Sequence, residues 1–279
     1  MNYTDYIKAL NELKTALENR VIGTIPGVED FALGALIEWI DKSLDVKNGS
    51  LVASKETIAL LNGFDSYFLS TLGKMKEYNG AVSSLVKDLP KVSKMMQQYQ
   101  EEVNGISWAK ANVAPVQKLV VNEIIDSYSE NGLNQSFVQP LRDLLYQNIA
   151  AGTSVKDAKE SLKAYIKSDD GKDSKISRYI TQTAQQAVDG YTGAINKKLM
   201  DTFDYPYLQM SGSLIKTSSP QCKEGINEYA GLIDMNAWEE LKIIAEANGL
   251  IPGTTFKNLP FNKFHWGCRH ELTPTMVKM

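Results

Sequence analysis

SKISRYITQTAQQAVDGYTGAINKKLMDT, residues 174–202, settles the fold class. Ile176, Ile180, Ala184, Ala187, Tyr191 and Ile195 recur at three- and four-residue steps, which places them on one stripe of a long helix. Towards the N-terminus the same period continues. Tyr6, Leu10, Leu13 and Leu17 form the stripe of a first helix, and VIGTIPG at 21–27 breaks it, because Pro26 cannot continue a helix and Gly27 favours a turn. A second helix then turns Phe31, Leu36, Ile37, Ile40 and Leu44 inward.

Residues 54–102 read as a helical hairpin, interrupted at Asn79–Gly80 and again at Pro90. Ile58, Leu61, Phe68, Leu72 and Met75 line its first arm, and Val82, Leu85, Val92 and Met96 its second. Further helices are expected over 113–130 and 136–150, and another after Ser154, whose hydroxyl can cap it while Asp157 meets the helix dipole. DDGKDSK at 169–175 reads as a linker.

Near residue 203 the composition changes. Tyr207, Gln209 and Ser211 alternate with Leu208 and Met210 in a strand pattern. A helix follows over 235–248, opened by Asn236 and stopped by Gly249, then a loop at 249–260 and a last strand at 269–273. The expected fold is therefore mainly α with a small α+β module at the C-terminal end. A helical body spans 1–134, a helical connector 135–202, and a small strand-helix-strand unit 203–279.

The 279 residues are 43% hydrophobic, enough for a core that needs no disulfide or metal. Net charge is -3, so no overall positive field draws the chain to nucleic acid or anionic lipid. The first residues lack the basic start and apolar run of a signal peptide, and no run approaches the roughly 18 apolar residues of a membrane span. The expectation is a soluble protein made in a cytoplasm, with no membrane partner. Lys172, Lys175, Arg178, Lys197 and Lys198 have two readings, a solvated helix face or a strip that contacts phosphate and DNA.

Both cysteines and both histidines lie in the last quarter: Cys222 in SSPQC, and His265, Cys268 and His270 in FHWGCRH. Alternate residues of an extended segment face one way, so Cys268 and His270 can share a side, with His265 reaching it across the Trp266–Gly267 turn. Cys222, brought in from the first strand, would complete a tetrahedral site for structural zinc. Three other readings stay open: ordinary packing and hydrogen bonding, a Cys222–Cys268 disulfide, or catalytic zinc with Glu224 or Glu228 as general base.

TSSPQC at 217–222 and HWGCRHELTP at 265–274, with YITQTAQQAVDGY in the preceding helix, resemble the C-terminal module of the Mu F-like minor head proteins of tailed bacteriophages, also called phage head morphogenesis proteins. The resemblance covers roughly residues 135–275, and makes 135–202 the connector of that module. Ser219 stands where many members carry the first cysteine of the motif, and His270 where many carry the last. The resemblance implies a virion or procapsid component at the portal vertex, with portal, scaffold or major capsid protein as partners and occasional contact with packaged DNA. It implies no enzyme activity; the alternative from the residues alone is a zinc-dependent hydrolase or nuclease centred on the Cys/His cluster.

Overall fold

The computed structural model describes residues 3–167, 172–212, 214–265, 268 and 270–276, the side chains of 130 and 131 excepted. It is 70% helical, with a few short strands in two small sheets, as the periodicity requires. Helix α1 (Tyr3–Ile22) buries Tyr6, Leu10 and Leu17. Helix α2 (Ile25–Ser43) starts after a two-residue break with Pro26 in its first turn, where a missing N–H costs nothing. Its buried stripe runs through Val28, Ala32, Ala35, Leu36, Trp39 and Ile40 and passes Phe31 by, which is 39% exposed rather than inward as expected. Strands β1 (Val46–Lys47) and β2 (Ser50–Leu51) pair across Asn48 and Gly49, both with positive φ, the pairing of residues that a two-residue hairpin turn demands.

The expected hairpin at 54–102 is three helices: α3 (Lys55–Leu61), α4 (Phe64–Leu72) and α5 (Lys76–Glu102). The breaks fall at Asn62–Gly63 and Gly73–Met75 instead of Asn79–Gly80 and Pro90. Asn79 sits in the first turn of α5, and its side-chain amide donates to Gly73 O at 2.8 Å, which uses the residue to fasten the turn before it. Pro90 lies inside α5 on its exposed side, where the carbonyl that loses its partner can stay hydrated. Ile58 is likewise exposed, while Leu61, Phe68, Leu72 and Met75 are buried as expected.

Helices α6 (Trp108–Ala111), α7 (Ala114–Tyr128), α8 (Glu130–Leu133), a π-helical turn at Asn134–Val138, α9 (Gln139–Ala150), α10 (Val155–Ile166) and α11 (Lys175–Thr202) follow. Ser154 caps α10 by accepting from Asp157 N at 3.1 Å. All six stripe residues of α11 are buried. Residues 169–171 of the expected linker lie outside the described residues. Strand β3 (Tyr207–Ser211), α12 (Pro220–Asn227), β4 (Leu232–Ile233), α13 (Met235–Ala247), α14 (Leu259–Asn262) and β5 (Glu271–Thr275) complete the chain. Three differences from expectation matter here. Cys222 lies on a helix, α12, not on a strand; α13 is capped by Asp234, which accepts from Ala237 N at 2.8 Å, not by Asn236; and the last strand begins at Glu271, not at 269. No helix among the described residues is long and apolar enough to cross a membrane.

The chain divides into two compact units, and α1, α5, α7 and α11 each contribute to both. One comprises Ala16–Lys87 and Glu123–Gln186. A run of aromatic contacts forms part of its core: Trp39 meets Phe64 edge-on at 4.9 Å, Phe64 stacks on Phe68 at 5.2 Å, and Phe137 lies against Phe68 and Tyr165. Arg142 pairs with Asp65 at 2.7 Å.

The other unit comprises Met1–Thr15, Asp88–Asn122 and Ala187–Met279. Its sheet is antiparallel in the order β4-β3-β5, with Leu208 opposite Pro274 and Ser211 opposite Glu271. Met210 faces Gly225 of α12, while Gln209, Glu271 and Thr273 fall on the opposite face by the two-residue alternation of strands. Against that polar face Lys14 of α1 is buried, with its ammonium between Asp189 of α11 and Glu271 of β5, the latter at 2.7 Å. Lys263 Nζ approaches the other Asp189 oxygen at 3.4 Å, so two cations face two carboxylates. Side-chain amides take the outer edge of β5: Asn196 donates to Leu272 O and Gln100 to Pro274 O, each at 3.1 Å, and Asn104 Oδ1 accepts from Met276 N at 2.8 Å.

Burial pushes the Asp189 carboxyl upward, but the Lys14 charge and then the Lys263 charge outweigh it and hold the group below the usual carboxylate range. A carboxyl depressed on folding contributes stability that is present above its unfolded value of about 3.9 and is lost as pH falls through the folded one. Asp189→Asn should therefore lower the unfolding free energy at pH 7 by about 1–3 kcal/mol. In urea titrations the difference from the parent chain should shrink as the pH is taken below about 4; a pH-independent difference would show that the charge is not what matters.

Candidate metal centre

Cys222 reaches the centre from the first turn of α12, which Pro220 opens and Ser219 precedes at the N-cap. His265 follows α14, and Cys268 and His270 immediately precede β5. Glycine at 212 makes room for the last of these: a Cβ there would lie 2.9 Å from His270 Cδ2, and its φ of +130° is one that residues with side chains rarely adopt.

The four residues singled out by the sequence are brought together. Cys222 Sγ lies 3.7 Å from Cys268 Sγ and 3.6 Å from His265 Nε2, and Cys268 Sγ lies 3.7 Å from His270 Nδ1. Cys222, Cys268 and His270 are buried, His265 half-buried. Donor atoms of Cys222, Cys268 and His270 all fall within 4.8 Å of one another, a group that could hold a metal ion. Both cysteines are free thiols in this arrangement.

The two sulfurs behave as a pair with opposite tendencies. Contact with Cys268, and burial after it, pushes the Cys222 thiol up. The same contact favours the thiolate at Cys268 against the cost of burial, helped by His265 and His270. Two cysteine sulfurs beside imidazole nitrogens are a donor set suited to a borderline or soft cation rather than to magnesium or calcium. No carboxylate joins the group among the described residues. Glu224, which the sequence offers as a general base, is half-buried on α12, and Glu228 is exposed at its C-cap.

Trp266 and Gly267 lie outside the described residues, so the turn read from the sequence does too. Glu271 is held by Lys14 and Asn196. The basic residues divide between the two compact units. Lys172 and Arg178 line an open cavity of about 530 Å³ with Ala164, Lys167 and Asp173, and Lys175 is exposed nearby in sequence. Lys197 and Lys198 belong to the other compact unit, where Lys197 pairs with Asp201 at 2.5 Å. What the sequence missed at the centre is the support around it: α12, the strained Lys263 backbone with φ of +59°, and the Lys14 ion pairs. The one available signal was Pro220 after Ser219, which marks a helix start.

No family model, no curated protein and no solved structure matches the chain.

Gly212→Ala should cost about 1–3 kcal/mol of stability, because the new methyl group meets the His270 ring and the backbone is held at an unfavourable φ. Urea denaturation of the variant would measure the loss, and an unchanged midpoint would mean that His270 can move freely.

Proposed function

We propose that the chain is a minor head, or head morphogenesis, protein of a tailed bacteriophage, a structural component of the capsid or procapsid at the portal vertex whose C-terminal cluster binds structural zinc. The observation that carries the proposal is the meeting of two motif segments. TSSPQC and HWGCRHELTP, on which the resemblance rests, are 43 residues apart at Cys222 and His265 and converge at a single Cys/His group.

The spacing supports zinc. Bonds of about 2.3 Å to sulfur and 2.0–2.1 Å to nitrogen at a tetrahedral angle put donors about 3.8 Å apart for two sulfurs and about 3.5 Å apart for sulfur and nitrogen. The corresponding separations here are 3.7 Å, 3.6 Å and 3.7 Å. With His265 as fourth donor the shell is filled by protein, as in structural zinc sites, and among the described residues no carboxylate stands in it to activate water. This favours a staple between α12 and the segment before β5 over a hydrolytic centre. Partner contacts with portal, scaffold or major capsid protein then fall to the helical remainder, and the cavity lined by Lys172 and Arg178 is where phosphate of packaged DNA would be met.

Mass spectrometry of purified virions and procapsids of the phage that encodes the chain should find it at low copy number; its absence from both would end the head-protein reading. Elemental analysis of the purified chain should give about one zinc per molecule, and both thiols should react only after denaturation with a chelator. Metal-free protein with two freely reactive thiols, or with a disulfide, would remove the zinc.

A further inference from the structure

We infer that metal at the cluster seats strand β5, so that metal loss releases this strand from its register while the rest of the fold persists; the inference rests on the zinc reading above. Cluster and strand are one continuous stretch, since His270 directly precedes Glu271, the first residue of β5. Cys222 ties that stretch to α12 from 46 residues away. Neighbouring residues of an extended chain face opposite ways, so His270 on the metal side and Glu271 on the Lys14 side together fix both the position and the facing of the strand. A slip of one residue would turn the Glu271 carboxylate away from Lys14 and leave that buried ammonium with Asp189 as its remaining carboxylate.

Other restraints also act on β5, chiefly the Lys14 ion pair at Glu271 and five residues of backbone pairing with β3. Among the described residues β5 is an edge strand that pairs with β3 alone, and its outer side rests on side-chain amide contacts from Asn196, Gln100 and Asn104. Each such hydrogen bond contributes about 0.5–1.5 kcal/mol net, whereas ligation of a structural metal feeds directly into folding free energy. Thiol and imidazole contacts without a metal are weak hydrogen bonds. The metal therefore adds a restraint at the start of the strand that these amide contacts do not replace.

Hydrogen exchange read by mass spectrometry on the full chain, with one equivalent of zinc, after chelation and after zinc is restored, tests this. Residues 271–276 should exchange about tenfold faster or more without zinc and recover when it returns, while residues 139–150 stay unchanged. Zinc release with no change at 271–276, or an equal acceleration along the whole chain, would overturn the inference and leave the zinc reading standing. A chain that takes up no zinc would overturn both. Lys14→Met removes the ion pairs but no metal donor, and zinc should still slow exchange at 271–276 in that variant by about tenfold or more. Loss of the zinc effect there would assign the seating to the ion pair instead.

Discussion

A buried ammonium needs its counter-charges in fixed places, and Lys14 imposes that demand on the unit built from the chain's two ends. Its partners are 175 and 257 residues away in sequence, on α11 and β5. Removing one partner of such a pair leaves an uncompensated charge at a cost of several kcal/mol, so α1, α11 and the last strand must assemble in one relative arrangement. The polar face of the β4-β3-β5 sheet follows from this: Glu271 and Thr273 meet the helices, and the opposite face, with Met210, is left for α12 and α13. Position of β5 in turn sets where Cys268 and His270 can lie, because they are the residues just before it.

Charge and metal donors thus act on the same few residues from two sides. The ion pairs hold Glu271 by electrostatics, and the Cys/His group holds the adjoining backbone by short-range contacts with α12. Lys263 stands between these two arrangements in sequence, two residues before His265, with its ammonium directed at Asp189 and its backbone at a φ that favours glycine. A non-glycine residue kept in that conformation signals that the surroundings fix it, here through the burial of its side chain and its ion pair.

Legibility of the fold in the sequence depended on length and on locality. The stripe of α11 repeats over 28 residues, and its six inward positions were read correctly from their spacing. The Ser154 cap was legible because the donor and acceptor are three residues apart. α12 has only eight residues and no apolar repeat, so Cys222 was assigned to a strand. Asn–Gly pairs show why local reading stops there. The pair at 48–49 forms the β1–β2 turn with both φ values positive, that at 62–63 separates two helices, that at 79–80 lies inside α5, and that at 248–249 ends α13. The dipeptide is the same each time, and packing around it decides the outcome. At the candidate centre the donors were legible because four rare residue types cluster, whereas the ion pairs were not, because nothing in sequence marks Lys14 as different from the chain's other lysines.

The outer edge of β5 also bears on how the protein behaves at high concentration. Unpaired carbonyls and amides along a strand edge are a template on which a second chain can add, the route to edge-to-edge aggregation. Here Leu272 and Pro274 have their outward carbonyls occupied by side-chain amides, and Met276 its N–H. Proline at 274 removes a further donor from the strand. Protection of this edge is therefore built into the same strand that carries the buried carboxylate, and substituting Asn196 or Gln100, themselves buried, by an apolar residue of similar size would leave a buried β5 carbonyl without its partner.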